Sequence, residues 1–131
     1  MNYEVFYQGI QQFAENADAQ LSKESDTVFH LTFPDERYPA IIGIAGFGLA
    51  LTFAIYCGVV PNTSLAPTFL QKNWGSVEGT GFYFSVSLLE GQPWLFLETL
   101  QYIDPDATPE EISSTLANCH LQGRQAKESL G

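Results

Sequence analysis

The sequence predicts an α+β fold, an antiparallel sheet with helices packed on it in the order α-β-β-β-α-β-β-α. Apolar residues recur at threes and fours near both ends of the chain and alternate in the middle, so helices flank strands. The strands come in runs instead of alternating one by one with helices, which is the arrangement of an antiparallel sheet. With 131 residues, 45% of them hydrophobic and only 15% charged, the chain has enough apolar surface to escape disorder and suits a single domain over 1–131.

Taking the elements in order, Tyr3, Phe6, Ile10, Phe13, Ala14, Ala17 and Leu21 share one helical face, which predicts an amphipathic helix over Asn2 to Leu21. "SKESD" breaks the pattern, and "TVFHLTF" replaces it with alternation, Phe29, Leu31 and Phe33 on one side and Val28, His30 and Thr32 on the other. From Tyr38 to Thr63 there is no charged residue, and "AIIGIAGFGLALTFAIYCGVV" is long enough to cross a bilayer as a helix. Four glycines, Gly43, Gly46, Gly48 and Gly58, and a single basic flank at Arg37 favour two strands joined at "AGFG". In the second of these strands Leu49, Leu51, Phe53 and Ile55 alternate with Ala50, Thr52, Ala54 and Tyr56, so one face is large and the other mostly small. A small membrane protein spanning at 40–60 is the less favoured alternative.

Pro61 ends that strand, and "NTSLAPTFLQKNW" predicts a short helix with Leu65, Phe69 and Leu70 on one face. "FYFSVSLLEGQPWLFLETLQYI" predicts a hairpin turning at Gly91. In "YIDPDATPEEI" four carboxylates crowd together, but Thr108, Pro109 and Glu111 match N-cap, N1 and N3 of a capping box, and Asp104 and Asp106 bracket a turn proline. The closing helix carries Ile112, Leu116, Cys119, Ala126 and Leu130, and Gly123 is expected to let its end fray.

Five Lys and Arg against fifteen Asp and Glu leave a charge of −10, which disfavours nucleic acid and anionic lipid as partners. Cys57 and Cys119 stand far apart without a CxxC motif or a secretory signal, so two reduced thiols in a cytoplasmic protein are expected. "GIAGFG" reverses the dinucleotide spacing, Cys57 with His30 is too few ligands for zinc, the acidic run lacks calcium-loop spacing, and neither His30 nor His120 sits in a nucleophile motif. The expectation is therefore no enzyme, no metal and no cofactor. Aromatic residues at 14% suggest more apolar surface than one small core absorbs, the mark of an interface.

Four stretches taken together resemble a type III secretion chaperone of the Tir chaperone family: "AIYCGVVP" at 54–61, "FLQKNW" at 69–74, "GTGFYFSVSLLEGQPWLFLETL" at 79–100 and "DATPEEI" at 106–112. Pro34 and Asp35, the segment Gln101 to Ile103, and a closing helix without aromatic residues depart from that pattern. The resemblance implies a bacterial cytoplasmic homodimer, without enzymatic activity, that holds the N-terminal segment of a secreted effector protein soluble and ready for export. On that reading Tyr3, Phe6, Ile10, Phe29, Leu31 and Phe33 would form the effector groove, and Leu65, Phe69, Leu70, Trp74, Phe82 and Phe84 the dimer interface. The alternative is a general α+β dimeric binding or scaffolding domain without a secretion role.

Overall fold

A computed structural model describes residues 3–37, 39–59 and 82–128. In chain order these form α1 (Glu4–Asn16), β1 (Gln20–Lys23), β2 (Val28–Thr32), β3 (Ala40–Ala45), a 3-10 turn at Gly46–Gly48, β4 (Ala50–Val59), β5 (Tyr83–Leu89), β6 (Gln92–Tyr102) and α2 (Pro109–Glu128). The short helix expected at 62–74 lies outside the described residues. The strands make one sheet in the order β1-β2-β3-β4-β6-β5, and every neighbouring pair is antiparallel. The fold is α+β.

One strand is a correction to the sequence reading. α1 stops at Asn16, short of Leu21, because Asp18 adopts φ 54° and closes the helix. The Asp18 N–H donates to Glu15 O at 3.2 Å and the Ala19 N–H to Ala14 O at 2.8 Å, a Schellman-type stop. Leu21 then enters the unexpected strand β1, where it pairs with Leu31. The Tyr7 hydroxyl donates to Asp26 O at 2.9 Å and so ties the β1–β2 turn back onto α1.

The uncharged stretch after Tyr38 is two strands, in register from Ala40 against Ile55 to Ala45 against Ala50, and not a membrane helix. Among the described residues no helix is long and apolar enough to cross a membrane. The hairpin between β5 and β6 turns on Glu90 (φ 53°) and Gly91 (φ 79°), the two left-handed positions of a type I′ loop.

α2 begins as its capping box predicts: Thr108 Oγ1 accepts from the Glu111 N–H at 3.2 Å, and Asp104 Oδ1 accepts from the Asp106 N–H at 2.8 Å. Gly123 does not mark a frayed end. It is buried, and α2 runs on to Glu128. A Cβ there would stand 2.3 Å from Ile55 Cδ1 and 3.2 Å from the Phe82 ring, so glycine is what lets the helix lie against the sheet. Gly9 plays the same part between the helices, where a Cβ would meet Ile112 Cβ at 2.7 Å and Pro109 O at 2.9 Å.

Both helices lie on one face of the sheet. Ile10 and Phe13 of α1 and Ile112 and Leu116 of α2 close over Phe29, Leu31, Ile42, Leu51, Phe53, Ile55, Phe84 and Leu97. Each such side chain contributes roughly 1.5–3 kcal/mol by leaving water, which makes this layer the source of the fold's stability.

Candidate functional site

Hydrogen bonding along an antiparallel strand alternates in direction from residue to residue, so an edge strand turns every second N–H and C=O away from the sheet. At one edge, Glu24 N–H donates to Val28 O, which makes Val28, His30 and Thr32 the residues of β2 that bond to β1. Their partners Ser22 and Gln20 are satisfied within the pair, and Leu21 and Lys23 direct their backbone outward. Leu21 is 37% exposed, and every residue of β1 is exposed.

At the other edge, Ile103 N–H donates to Leu49 O, so by alternation Trp94, Phe96 and Glu98 of β6 face β5 and bond to Ser87, Ser85 and Tyr83. Val86 and Leu88 therefore direct their backbone away from β6. β5 carries no charged residue over its seven positions, and Leu88 is 72% exposed. β5 thus lacks the charged side chains with which natural sheets blunt an unpaired edge.

The predicted groove residues do not form one open groove. Ile10, Phe29, Leu31 and Phe33 are buried in the core, with Ile10 and Leu31 at 0% exposure. Phe6, also nearly buried, lines a cleft of about 450 Å³ with Val5, Leu49, Ile103, Pro105 and Ile112. Tyr3 remains partly exposed and starts an aromatic chain, 6.4 Å from the Tyr7 ring, which in turn meets Phe29 edge-on at 5.6 Å. That chain leads from the surface beside β1 into the core. Lys23 Nζ lies 4.9 Å from the Tyr7 ring centroid and pairs with Asp26 at 3.2 Å.

Of the predicted dimer residues, Phe82 and Phe84 are core side chains of this one chain. Leu65, Phe69, Leu70 and Trp74 lie outside the described residues. Among the described residues the exposed large apolar positions are others: Leu21, Leu49, Tyr83, Leu88, Leu100, Tyr102 and Leu121. Tyr102 and Leu100 had a legible signal, because they share alternation with Phe96 and Glu98 on the sheet face away from the helices.

Both histidines pair with glutamates, His30 with Glu24 and His120 with Glu36, the latter at 2.9 Å with Arg124 Nε 3.4 Å from the same oxygen. Neither Cys57 nor Cys119 is in a disulfide, and burial pushes the pKa of the Cys119 thiol up to about 11. Burial also raises Tyr56, helped by the charge of Glu24, and raises Tyr83, helped by Glu98. Among the described residues no three His, Cys, Asp or Glu side chains converge as metal ligands.

No family model matches the chain, and no curated protein matches its sequence. The fold has solved counterparts. YbjN from E. coli, described as a candidate transcription regulator, superposes with a TM-score of 0.65 at 13% identity over 92% of this chain and 87% of its own. The Yersinia pestis type III secretion chaperone SycH, solved with a fragment of YscM2, gives 0.54 at 15% identity over 90% and 96%. A chain of the heterodimeric ExoU–SpcU complex from the type III secretion system of Pseudomonas aeruginosa gives 0.53 at 17% identity over 92% and 93%. The chain has the fold that includes type III secretion chaperones.

Proposed function

We infer that this chain is a protein-binding chaperone of the type III secretion kind, a cytoplasmic, non-enzymatic homodimer that holds the N-terminal segment of a secreted effector in a soluble, non-globular state. The observation that carries the reading is a sheet whose two end strands both direct backbone groups outward, at Leu21 and Lys23 on one side and at Val86 and Leu88 on the other. An extended client adds to such an edge by main-chain pairing, which is indifferent to sequence and suits a segment that must not fold. The superposition on SycH and on the ExoU–SpcU complex supports the same assignment.

The two edges divide the work by composition. β1, short and flanked by the Tyr3–Tyr7–Phe29 chain, takes the client strand, whose side chains reach the exposed parts of Tyr3 and Leu21. β5, longer and uncharged, joins a second copy, so Phe82 and Phe84 support that interface from beneath through the core while the backbone makes it. A net charge of −10 keeps the loaded complex dispersed.

Because Phe6 and Phe29 are buried, substituting them tests folding and not binding. Leu21→Pro removes one outward N–H from an exposed position and leaves the β2 ladder whole. It should weaken capture of the effector's N-terminal segment about tenfold, the scale of one or two lost backbone bonds. Unchanged capture by the folded variant would reject the β1 assignment.

YbjN, with its higher TM-score, favours a second reading: a dimeric binding or scaffolding domain using the same edges without a secretion role. Export assays separate the two, since only the first predicts that deleting this chain abolishes secretion of a specific protein.

A further inference from the structure

The sheet face opposite the helices holds a trough of about 350 Å³ that the core does not use. Its floor is made of small positions on adjacent strands, with Thr52 paired to Gly43 and Ala54 beside it. A Cβ on Gly43 would come 2.4 Å from Thr52 Oγ1, so glycine there lets the threonine sit low. Ile41 forms one wall, and Tyr56 with Phe96, ring centroids 4.5 Å apart, forms another. Glu98 stands at the far side, directly across Ala54 from Ile41 in the strand register. Its carboxylate lies close enough to act on the Tyr83 hydroxyl, and Glu24 is close enough for its charge to act on Tyr56.

The strand residues that surround the trough carry charge of one sign. Lys23 pairs in register with Phe29 and lies over Tyr7, on the helix side, and Arg124 belongs to α2. Among the described strand residues on the open face, the ionisable groups besides tyrosine are Glu98 and His30, the latter paired with Glu24. An uncharged apolar side chain entering here would strip water from a carboxylate and return nothing to it. A second copy of this acidic face would bring carboxylate to carboxylate on a chain already at −10.

We propose that this trough seats a lysine or arginine side chain of the bound client, its stem over Ile41 and Ala54 and its cationic head between the Tyr56 ring and the Glu98 carboxylate. A strand-to-strand spacing of about 4.8 Å places Ile41 and Glu98 roughly two strands apart, within the reach of such a stem. The aromatic ring and the carboxylate then act on the same cation, and the thin floor of Thr52 and Ala54 leaves room for the methylenes. This inference rests on the reading of the chain as a holder of client segments, and it names the chemistry of one anchor position.

The test uses two fluorescein-labelled peptides of ten residues, alternating leucine and serine around one central arginine or, in its place, neutral citrulline of the same shape. The full-length protein should bind the arginine peptide about tenfold more tightly, the scale of a hydrogen bond to a charged group. Glu98→Gln should bring the two affinities together with the melting temperature unchanged, and Tyr56→Leu should cut the preference about threefold. Glu90→Gln, on the hairpin turn, should change nothing.

Equal affinity for both peptides, a preference that survives Glu98→Gln, or no binding of either peptide would each overturn the proposal. So would a Glu98→Gln variant with altered dimer mass in light scattering, which would make a second copy the occupant. If the peptides fail while the effector segment is still captured, the trough assignment falls and the chaperone reading stands. If the arginine preference holds but no effector segment is captured, the reverse follows.

Discussion

His120 lies flat on Phe33, ring centroids 4.1 Å apart and planes 12° apart, while its Nε2 sits 2.9 Å from Glu36 Oε1. Phe13 meets the same imidazole edge-on at 5.9 Å. One side chain of α2 is therefore held by α1, by the end of β2 and by the turn that follows, and Glu36 is mostly buried beneath it. His120→Ala removes the stack and leaves that carboxylate with Arg124 alone, so it should cost about 2–3 kcal/mol in a urea titration. His120→Phe, which restores the ring but not the hydrogen bond, should fall between the two. A loss below about 0.5 kcal/mol for the alanine variant would mean the clamp is not coupled to folding.

Gly123 gives a second prediction with an unusual sign. Alanine gains about 1 kcal/mol of helix propensity over glycine at an ordinary helical site. Here its Cβ would drive into Ile55 Cδ1, so Gly123→Ala should destabilise by about 1–3 kcal/mol, the range for overpacking a core. Gly9→Ala should do the same at the crossing of α1 and α2, where a backbone oxygen is in the way. Thermal melts of both variants check this.

The thiols should behave unequally. Cys57 is partly buried and Cys119 is buried in α2, so a maleimide at pH 8 should label Cys57 first and Cys119 only on unfolding. Burial raises the folded Cys119 from 9.0 to about 11. Between those values the unfolded chain gives up the proton first, so stability is intact below pH 9 and falls as pH rises towards 11. Tyr56 and Tyr83, also raised, add a loss of the same sign above pH 10. Cys119→Ala should delay the onset of alkaline unfolding.

The β5 edge makes a prediction about assembly. Val86→Pro removes an N–H that points away from β6, so the β5–β6 ladder survives. The variant should stay folded, and the proposed dimer should dissociate at concentrations about tenfold higher than without the substitution, as read by light scattering. A wild-type chain that is monomeric at micromolar concentration would remove the interface altogether.

Much of this architecture is legible in the residues. The alternation in "TVFHLTF" and the Thr108 to Glu111 capping box specify their elements locally, and both appear where expected. β1 was not legible, because Ala17 and Leu21 continue the helical period and the stop rests on Asp18, a residue that takes a left-handed conformation far less readily than glycine. Gly123 misled for a related reason: a missing side chain reads as weak helix until the partner that needs the space, Ile55, is known. The groove residues were ambiguous in a different way. Phe29 and Leu31 show the apolar spacing of a binding strand and of a core strand alike, and only the position of α1 over them decides. Glu98 and Ala54 carried no motif at all, since their trough exists only once β3, β4 and β6 lie side by side.

On the proposed reading a client strand adds to the β1 edge. Amide hydrogen exchange at Leu21 and Lys23, with and without the N-terminal segment of a secreted protein that co-purifies with this chain, is the measurement that decides it. The outward N–H groups of these two residues should exchange at least about tenfold more slowly in the complex, while those of Gln20 and Ser22, already bonded to β2, change little. Equal exchange at Leu21 and Lys23 in a complex that demonstrably forms would contradict the account.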